Sequence, residues 1–187
     1  MDLLTVTGHK MYAPKGVGAL YVHNGLRLEP ASYGGGQEHG LRAGTENVAH
    51  IVALGYAAQL AATAVHDDTD RVRRLRDLLH QRLDLQLPGR VHLNGHPTSR
   101  LPNTLNISID GTTGHTLLDA IPGIAASTGS ACHQGNSQPS PVLASMGLTP
   151  ERARSALRLS LGRWTTPDDI THAATLLTDT ARAQHLR

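Results

Sequence analysis

Apolar and polar positions along the chain follow two different periods, and the change from one to the other lays out the elements. Residues 2–6 and 17–22 are short β-rich runs, punctuated by Gly and Pro, and are predicted as strands. A Gly8-His9-Lys10 turn and a Pro14-Lys15-Gly16 turn lie between them, and residues 27–30 are expected as a further short strand. Residues 34–40, Gly-Gly-Gly-Gln-Glu-His-Gly, are expected as a flexible loop without the spacing of a nucleotide-binding signature. From Glu46 the period becomes helical. Val48, Ile51, Val52, Leu60 and Val65 define one apolar side, with small Ala and Gly residues between them. A bend is expected at 66–70. Helical spacing resumes at Val72, Leu75, Leu78, Leu79 and Leu83, with Arg71, Arg73, Arg74, Arg76 and Arg82 on a solvated opposite side, and Pro88-Gly89 ends the helix.

The second half shortens its elements. Strands are predicted at 90–94, 104–110 and 155–161, and short helices at 115–121 and 141–146, with 123–127 leading into a loop that contains Cys132. The last helix, 166–185, is announced by Thr166 as N-cap, Pro167 at the first helical position and Asp168 and Asp169 in the first turn, where carboxylates meet the positive end of the helix dipole. Its buried stripe is Ile170, Ala174, Leu177 and Ala181. Alternating strands and helices place the chain in the α/β or α+β classes, with the long helix as the bridge between two domains.

Composition narrows the function classes. Of 187 residues, 39% are hydrophobic and 17% charged, which suits a globular protein, while 3% aromatic content and no Phe leave the core to Leu, Val, Ile and Ala. A net charge of +2 is too slight to argue for nucleic acid or an anionic membrane. The twelve His are scattered outside any metal-binding register, so no metal site is expected. One cysteine excludes an internal disulfide. Asp2 stands where a signal peptide would be basic, and no continuous apolar run reaches the roughly 20 residues of a membrane span. A cytoplasmic protein without a membrane is the expectation.

Three residues invite chemistry, each against a plainer reading. Lys10, on a tight connection between strands, is either a solvated loop cation or, with the hydroxyl of Thr7 and the imidazole of His9 beside it, an amine set to hold a carbonyl next to a phosphate. Cys132 is either a small buried hydrophobe or, in the polar and Gly-flanked run 129–135 with His133 adjacent, a thiol able to ionise. Arg158, on strand spacing opposite Leu157 and Leu159, points either to solvent or to a carboxylate that suits its forked donors.

The run 7–22, Thr-Gly-His-Lys-Met-Tyr-Ala-Pro-Lys-Gly-Val-Gly-Ala-Leu-Tyr-Val, resembles the cofactor-lysine segment of cysteine desulfurases, members of the class V aminotransferase group of fold-type I pyridoxal phosphate enzymes. Four more runs resemble the same family in its order: 34–48, 101–108, 127–132 (Ser-Thr-Gly-Ser-Ala-Cys) and 157–166. The resemblance implies an α/β fold in which residues 1–60 are the C-terminal part of the large cofactor-binding domain and its sheet, and residues 61–187 an α+β small domain with the cysteine loop. It implies pyridoxal 5'-phosphate held by Lys10, with Thr7 and His9 on its phosphate and Thr45 reaching the phosphate of a partner subunit. It also implies Arg158 on the substrate carboxylate and Cys132 as the persulfide-forming thiol. Thr7 and Ala13 stand where the family commonly has Ser and Gly, changes that keep the needed chemistry or size.

The activity so implied is removal of sulfur from L-cysteine to give L-alanine and a persulfide, for a sulfur-acceptor protein and uses such as iron-sulfur cluster assembly. Family members are about twice as long, so the expectation is a truncated or split enzyme, a homodimer or a chain completed by a complementing N-terminal chain. The alternative is a non-catalytic persulfide carrier or interaction module derived from that family.

Overall fold

In this computed structural model the described residues are 1–129 and 140–185, and they divide into two compact units, Met1–His66 and Asp67–Arg187. In the first unit β1 (Leu3–Thr7) pairs antiparallel with β2 (Gly18–Val22), in register from Leu3 opposite Val22 to Thr7 opposite Gly18. The chain leaves β1 through a 3-10 turn, Gly8–Met11, which ends on Tyr12 in the left-handed region at φ 65°. Only glycine fits the entry: a Cβ on Gly8 would lie 2.8 Å from the carbonyl oxygen of Val17, to which the Gly8 N–H donates at 2.9 Å.

Residues 27–30 form no strand, since nothing described pairs with them. The Gly-rich stretch is not a loose loop either. It carries a 3-10 turn at Gln37–Gly40 with Glu38 and His39 at φ 50° and 57°, and Gln37 Oε1 accepts from the Gly44 N–H at 3.2 Å. The long helix α1 (Val48–Gln86) continues through 66–70, where a bend was expected. The acidic residues there support helix rather than break it, because Asp68 and Asp70 pair with Arg71 and Arg73 three residues on, at 3.4 and 2.8 Å. Its first stretch, Val48–Val65, has a mean hydropathy of 1.6 over 18 residues and is 6% buried, so by length and composition it could cross a bilayer. This is a property of the mean over the window and not of a continuous apolar run, since His50 and Gln59 lie inside it.

The second unit closes its own core. The strands β3 (Val91–Leu93), β4 (Thr104–Ile109) and β5 (Ala156–Ser160) form an antiparallel sheet in that order. Strand alternation sends Leu105, Ile107 and Ile109 to one face, with Leu157 opposite Ile107 and Leu159 opposite Leu105. All five belong to one buried cluster with Val72, Leu75, Leu79 and Leu83 of α1 and with Ile170, Ala174, Leu177 and Ala181 of α5 (Pro167–His185). The start of α5 has the expected N-cap and goes further, to a reciprocal capping box: Thr166 Oγ1 accepts from the Asp169 N–H at 3.2 Å, and Asp169 Oδ2 accepts from the Thr166 N–H at 2.9 Å. The Thr166 N–H and its hydroxyl, which also donates to Asp169 Oδ2 at 2.9 Å, hold the Asp169 carboxyl below its usual range.

Three short helices complete this unit: α2 (Gly114–Asp119), α3 (Pro141–Ser145) and α4 (Pro150–Arg154). Helix α4 was missed from sequence, although Thr149-Pro150-Glu151 is a start signal, and Thr149 Oγ1 accepts from the Arg152 N–H at 3.3 Å. The arginine face of α1 also differs from expectation. Arg76 is 4% exposed, donating to the Leu101 carbonyl at 2.8 Å and to Asp77 Oδ1. Arg71 donates to the carbonyls of Arg163 and Thr165 at 2.6 and 2.8 Å. The guanidiniums are drawn inward because loop carbonyls need donors.

Candidate active-site residues

In the first unit the chemistry-bearing side chains sit where β1 runs into its 3-10 turn. Thr7 is the last residue of β1 and half-buried, while His9 and Lys10 lie on the turn and are exposed. The hydrogen bond from Gly8 to Val17 and another from the Ala13 N–H to the Gly8 carbonyl, at 3.1 Å, tie both ends of the turn to its neighbours. The Lys10 amine thus rises from a backbone fixed on both sides. Among the described residues no hydrogen bond or ion pair uses the Thr7 hydroxyl, the His9 ring or the Lys10 ammonium. An amine, an imidazole and a hydroxyl, all with donors unspent within four residues, fit a group that carries an aldehyde and a phosphate.

Thr45 precedes α1 in an exposed stretch that folds on Arg42, whose Nη1 donates to the carbonyls of Gly44 and Thr45 at 2.7 and 3.2 Å. Gly44 has φ 99°, a conformation that the backbone adopts cheaply only with glycine.

Arg158 belongs to the second unit. It lies half-buried at the centre of β5, directly opposite Asn106 of β4, on the sheet face away from the Leu and Ile core. The row extends on both sides. The Asn94 N–H donates to the Asn106 carbonyl at 2.9 Å, and Ser127 pairs with Arg158 through its backbone, its N–H donating to the Arg158 carbonyl at 3.3 Å. Asn94, Asn106, Arg158 and Ser127 therefore stand side by side across the sheet. Beneath the row is a buried polar network. Arg152 Nε donates to Asn94 Oδ1 at 3.0 Å, and Asn94 Nδ2 donates to Asn106 Oδ1 and to Ser108 Oγ, both at 2.9 Å. The Ser108 hydroxyl donates to the Arg152 carbonyl at 2.7 Å, which closes the network. Among the described residues nothing pairs with the Arg158 guanidinium.

Cys132 lies outside the described residues. The chain enters that stretch from Ser127, whose hydroxyl donates to the Gly129 carbonyl at 2.6 Å and accepts from the Gly129 N–H at 3.1 Å. Lys10, His9, Thr7 and Thr45 thus belong to the first unit and Arg158 to the second. Sequence reasoning passed over Asn94, Asn106, Arg152 and Ser127. The signal for Asn106 was its alternation with Leu105 and Ile107, but only the register between strands sets it opposite Arg158.

Comparison with known proteins yields a family and several relatives. The aminotransferase class-V family model matches residues 1–172. A cysteine desulfurase IscS of Methanosarcina thermophila is 45% identical over 172 residues, covering 91% of this chain and 42% of the relative. A cysteine desulfurase 2 of Trichormus variabilis is 47% identical over 172 residues, covering 91% of this chain and 43% of the relative. The chain thus spans less than half the length of these relatives. Among solved structures, a NifS-like protein superposes with a TM-score of 0.85 at 30% identity, covering 100% of this chain and 47% of the other.

Proposed function

Because the chain belongs to the aminotransferase class-V family, we propose that it is part of a pyridoxal-phosphate-dependent cysteine desulfurase and contributes its cofactor lysine, its carboxylate-binding arginine and its sulfur-accepting cysteine. The observation that carries this is the end of β1 and the turn that follows it, where the Thr7 hydroxyl, the His9 ring and the Lys10 amine lie within four residues with no hydrogen-bond or ion-pair partner among the described residues. In this reading residues 1–60 are the C-terminal part of the large domain and residues 61–187 the small domain. The relatives named cysteine desulfurase support the reaction class, and a solved SspA in complex with cysteine, with a TM-score of 0.65 at 29% identity, supports L-cysteine as substrate.

Each residue then has a task. Lys10 Nζ would bond the cofactor carbonyl, Thr7 and His9 would donate to its phosphate, and Thr45 would donate to the phosphate held by a second subunit, which makes a homodimer part of the proposal. Bound there, pyridoxal phosphate supplies an electron-withdrawing ring that acidifies the substrate α-carbon. Lys10 Nζ, once free, would take that proton and return it. Arg158 would grip the substrate carboxylate through two parallel N–H donors. The Cys132 thiolate would attack the substrate sulfur: a sulfur–sulfur bond forms, the carbon–sulfur bond breaks, and the carbon keeps the electron pair and is protonated to L-alanine. A sulfur-acceptor protein would then take the outer sulfur.

A second reading, a persulfide carrier without catalysis, draws on a different observation. The unit that carries Cys132 has its own closed apolar core.

One experiment separates them. The chain, alone and mixed with an N-terminal fragment of a family member, is given pyridoxal phosphate and L-cysteine while bound-cofactor absorbance and sulfide release are followed. Desulfurase function predicts absorbance lost in Lys10→Ala, and absorbance kept with sulfide release abolished in Cys132→Ser. Undiminished release from Cys132→Ser would sink the proposal. A chain that never binds cofactor in either setting, yet accepts sulfur from a persulfide donor on Cys132, would favour the carrier.

A further inference from the structure

The polar network under Arg158 is fixed in direction by its one member that cannot accept. A guanidinium only donates, so the oxygen of Asn94 must face Arg152 Nε. The Asn94 amide nitrogen therefore faces Asn106 and Ser108, and the Asn106 oxygen faces Asn94. This leaves the Asn106 Nδ2 hydrogens for the other side of the row, where Arg158 is the directly opposed residue on β5. Opposed positions of an antiparallel pair have their Cβ atoms about 5 Å apart on one face. At this spot Asn106 and Arg158 both present donors, an amide nitrogen and a guanidinium, neither bonded to another described residue. Asn106 and Arg158 are half-buried, whereas Ser108, in the network beneath them, is sealed under the Arg152 carbonyl of α4.

We propose that Asn106 is a substrate-binding residue, whose Nδ2 donates to the same carboxylate that Arg158 grips, and that Arg152 and Asn94 act behind it as positioning residues. This rests on the reading of Arg158 given above and deepens it. Three elements of recognition then converge on one anion: the charge from β5, a neutral donor from β4, and an orientation set from α4 through Asn94. A neutral second donor is the appropriate partner here, because a second cation would repel Arg158, and an Asp at 106 would pair with it and exclude the substrate.

The test uses the full chain, labelled with nitrogen-15, and side-chain resonances rather than turnover. L-cysteine is titrated while the Asn106 Nδ2 hydrogens and the Arg158 Nε hydrogen are followed, with cysteamine, which has the same thiol and amine but no carboxylate, as the control. The expected result is that both groups shift with one common saturation curve for L-cysteine and stay still with cysteamine. Asn106→Ala should weaken the Arg158 response about tenfold, the low end for one charge-assisted hydrogen bond. It leaves Asn94 bonded to Ser108, so the sheet keeps its network. If Arg158 shifts and Asn106 does not, the inference fails while Arg158 keeps its role. If neither shifts, the reading of Arg158 fails and takes the inference with it. Equal shifts with cysteamine would show that the carboxylate is not what the pair recognises.

Discussion

From Val72 to Leu83 the apolar side of α1 is closed off, with Leu79 3% exposed and Leu83 fully buried, whereas in the earlier part of the same helix Val48 is 64% and Val52 66% exposed. Both stretches carry helical apolar spacing. The difference is what lies opposite. The second unit brings an antiparallel sheet and α5 to its part of the helix. The first unit brings a two-stranded sheet whose Leu3, Leu4, Leu20 and Tyr21 are themselves exposed, and a two-stranded hairpin is only marginally stable by itself. An amphipathic pattern states what a helix needs, and says nothing of whether the rest of the chain supplies it. The candidate chemistry divides along the same line: the turn that carries Lys10 stands in the unit with little core, the row that carries Arg158 in the unit with a closed one.

The sharpest way to break this comparison is to shorten one apolar side chain in each stretch. Leu83→Ala should cost about 2 to 5 kcal/mol in a denaturant melt, as a fully buried leucine leaves a cavity, while Val52→Ala should stay within about 0.5 kcal/mol. Equal costs would mean that the first stretch is packed as well as the second.

Glycine to alanine should change sign between the units. A Cβ on Gly114 would run into the Ala156 carbonyl of β5, so Gly114→Ala should destabilise the second unit by about 1 to 3 kcal/mol. Gly55, inside α1, has nothing within 4 Å of its added Cβ, so Gly55→Ala should stabilise that stretch by up to about 1 kcal/mol through helix propensity alone. Amide exchange of 48–65 and of the sheet reads the two effects separately, and slower exchange in Gly114→Ala would contradict the close approach.

The smallest effect is a pH dependence confined to the second unit. The Thr166 backbone and hydroxyl hold the Asp169 carboxyl below its ordinary value. A depressed carboxyl stabilises the fold above its unfolded value and loses that contribution as pH falls through the folded one. Acid should therefore loosen the first turn of α5 before the rest of that helix, and Asp169→Asn should flatten the pH dependence of exchange there. A first turn indifferent to acid in the unsubstituted protein would remove the capping carboxylate from the account.

What the sequence determined by itself was whatever depends on neighbours along the chain. The spacing of Val72, Leu75, Leu79 and Leu83 set the buried side of α1. Alternation set Leu105, Ile107, Leu157 and Leu159 to one face, and Thr166, Pro167 and Asp169 set the start of α5. The fold class and the family were legible too, because its runs lie in order along the chain. Tertiary structure decided what depends on contacts between distant segments. Arg76 and Arg71 turned inward because carbonyls at Leu101, Arg163 and Thr165 lacked donors, a need no helical wheel contains. Residues 27–30 stayed unpaired because a strand requires a neighbour as well as a propensity. Asn106 came to stand opposite Arg158 through a strand register set by residues 52 positions apart. Period gives a side chain its face, and only the fold gives it a neighbour.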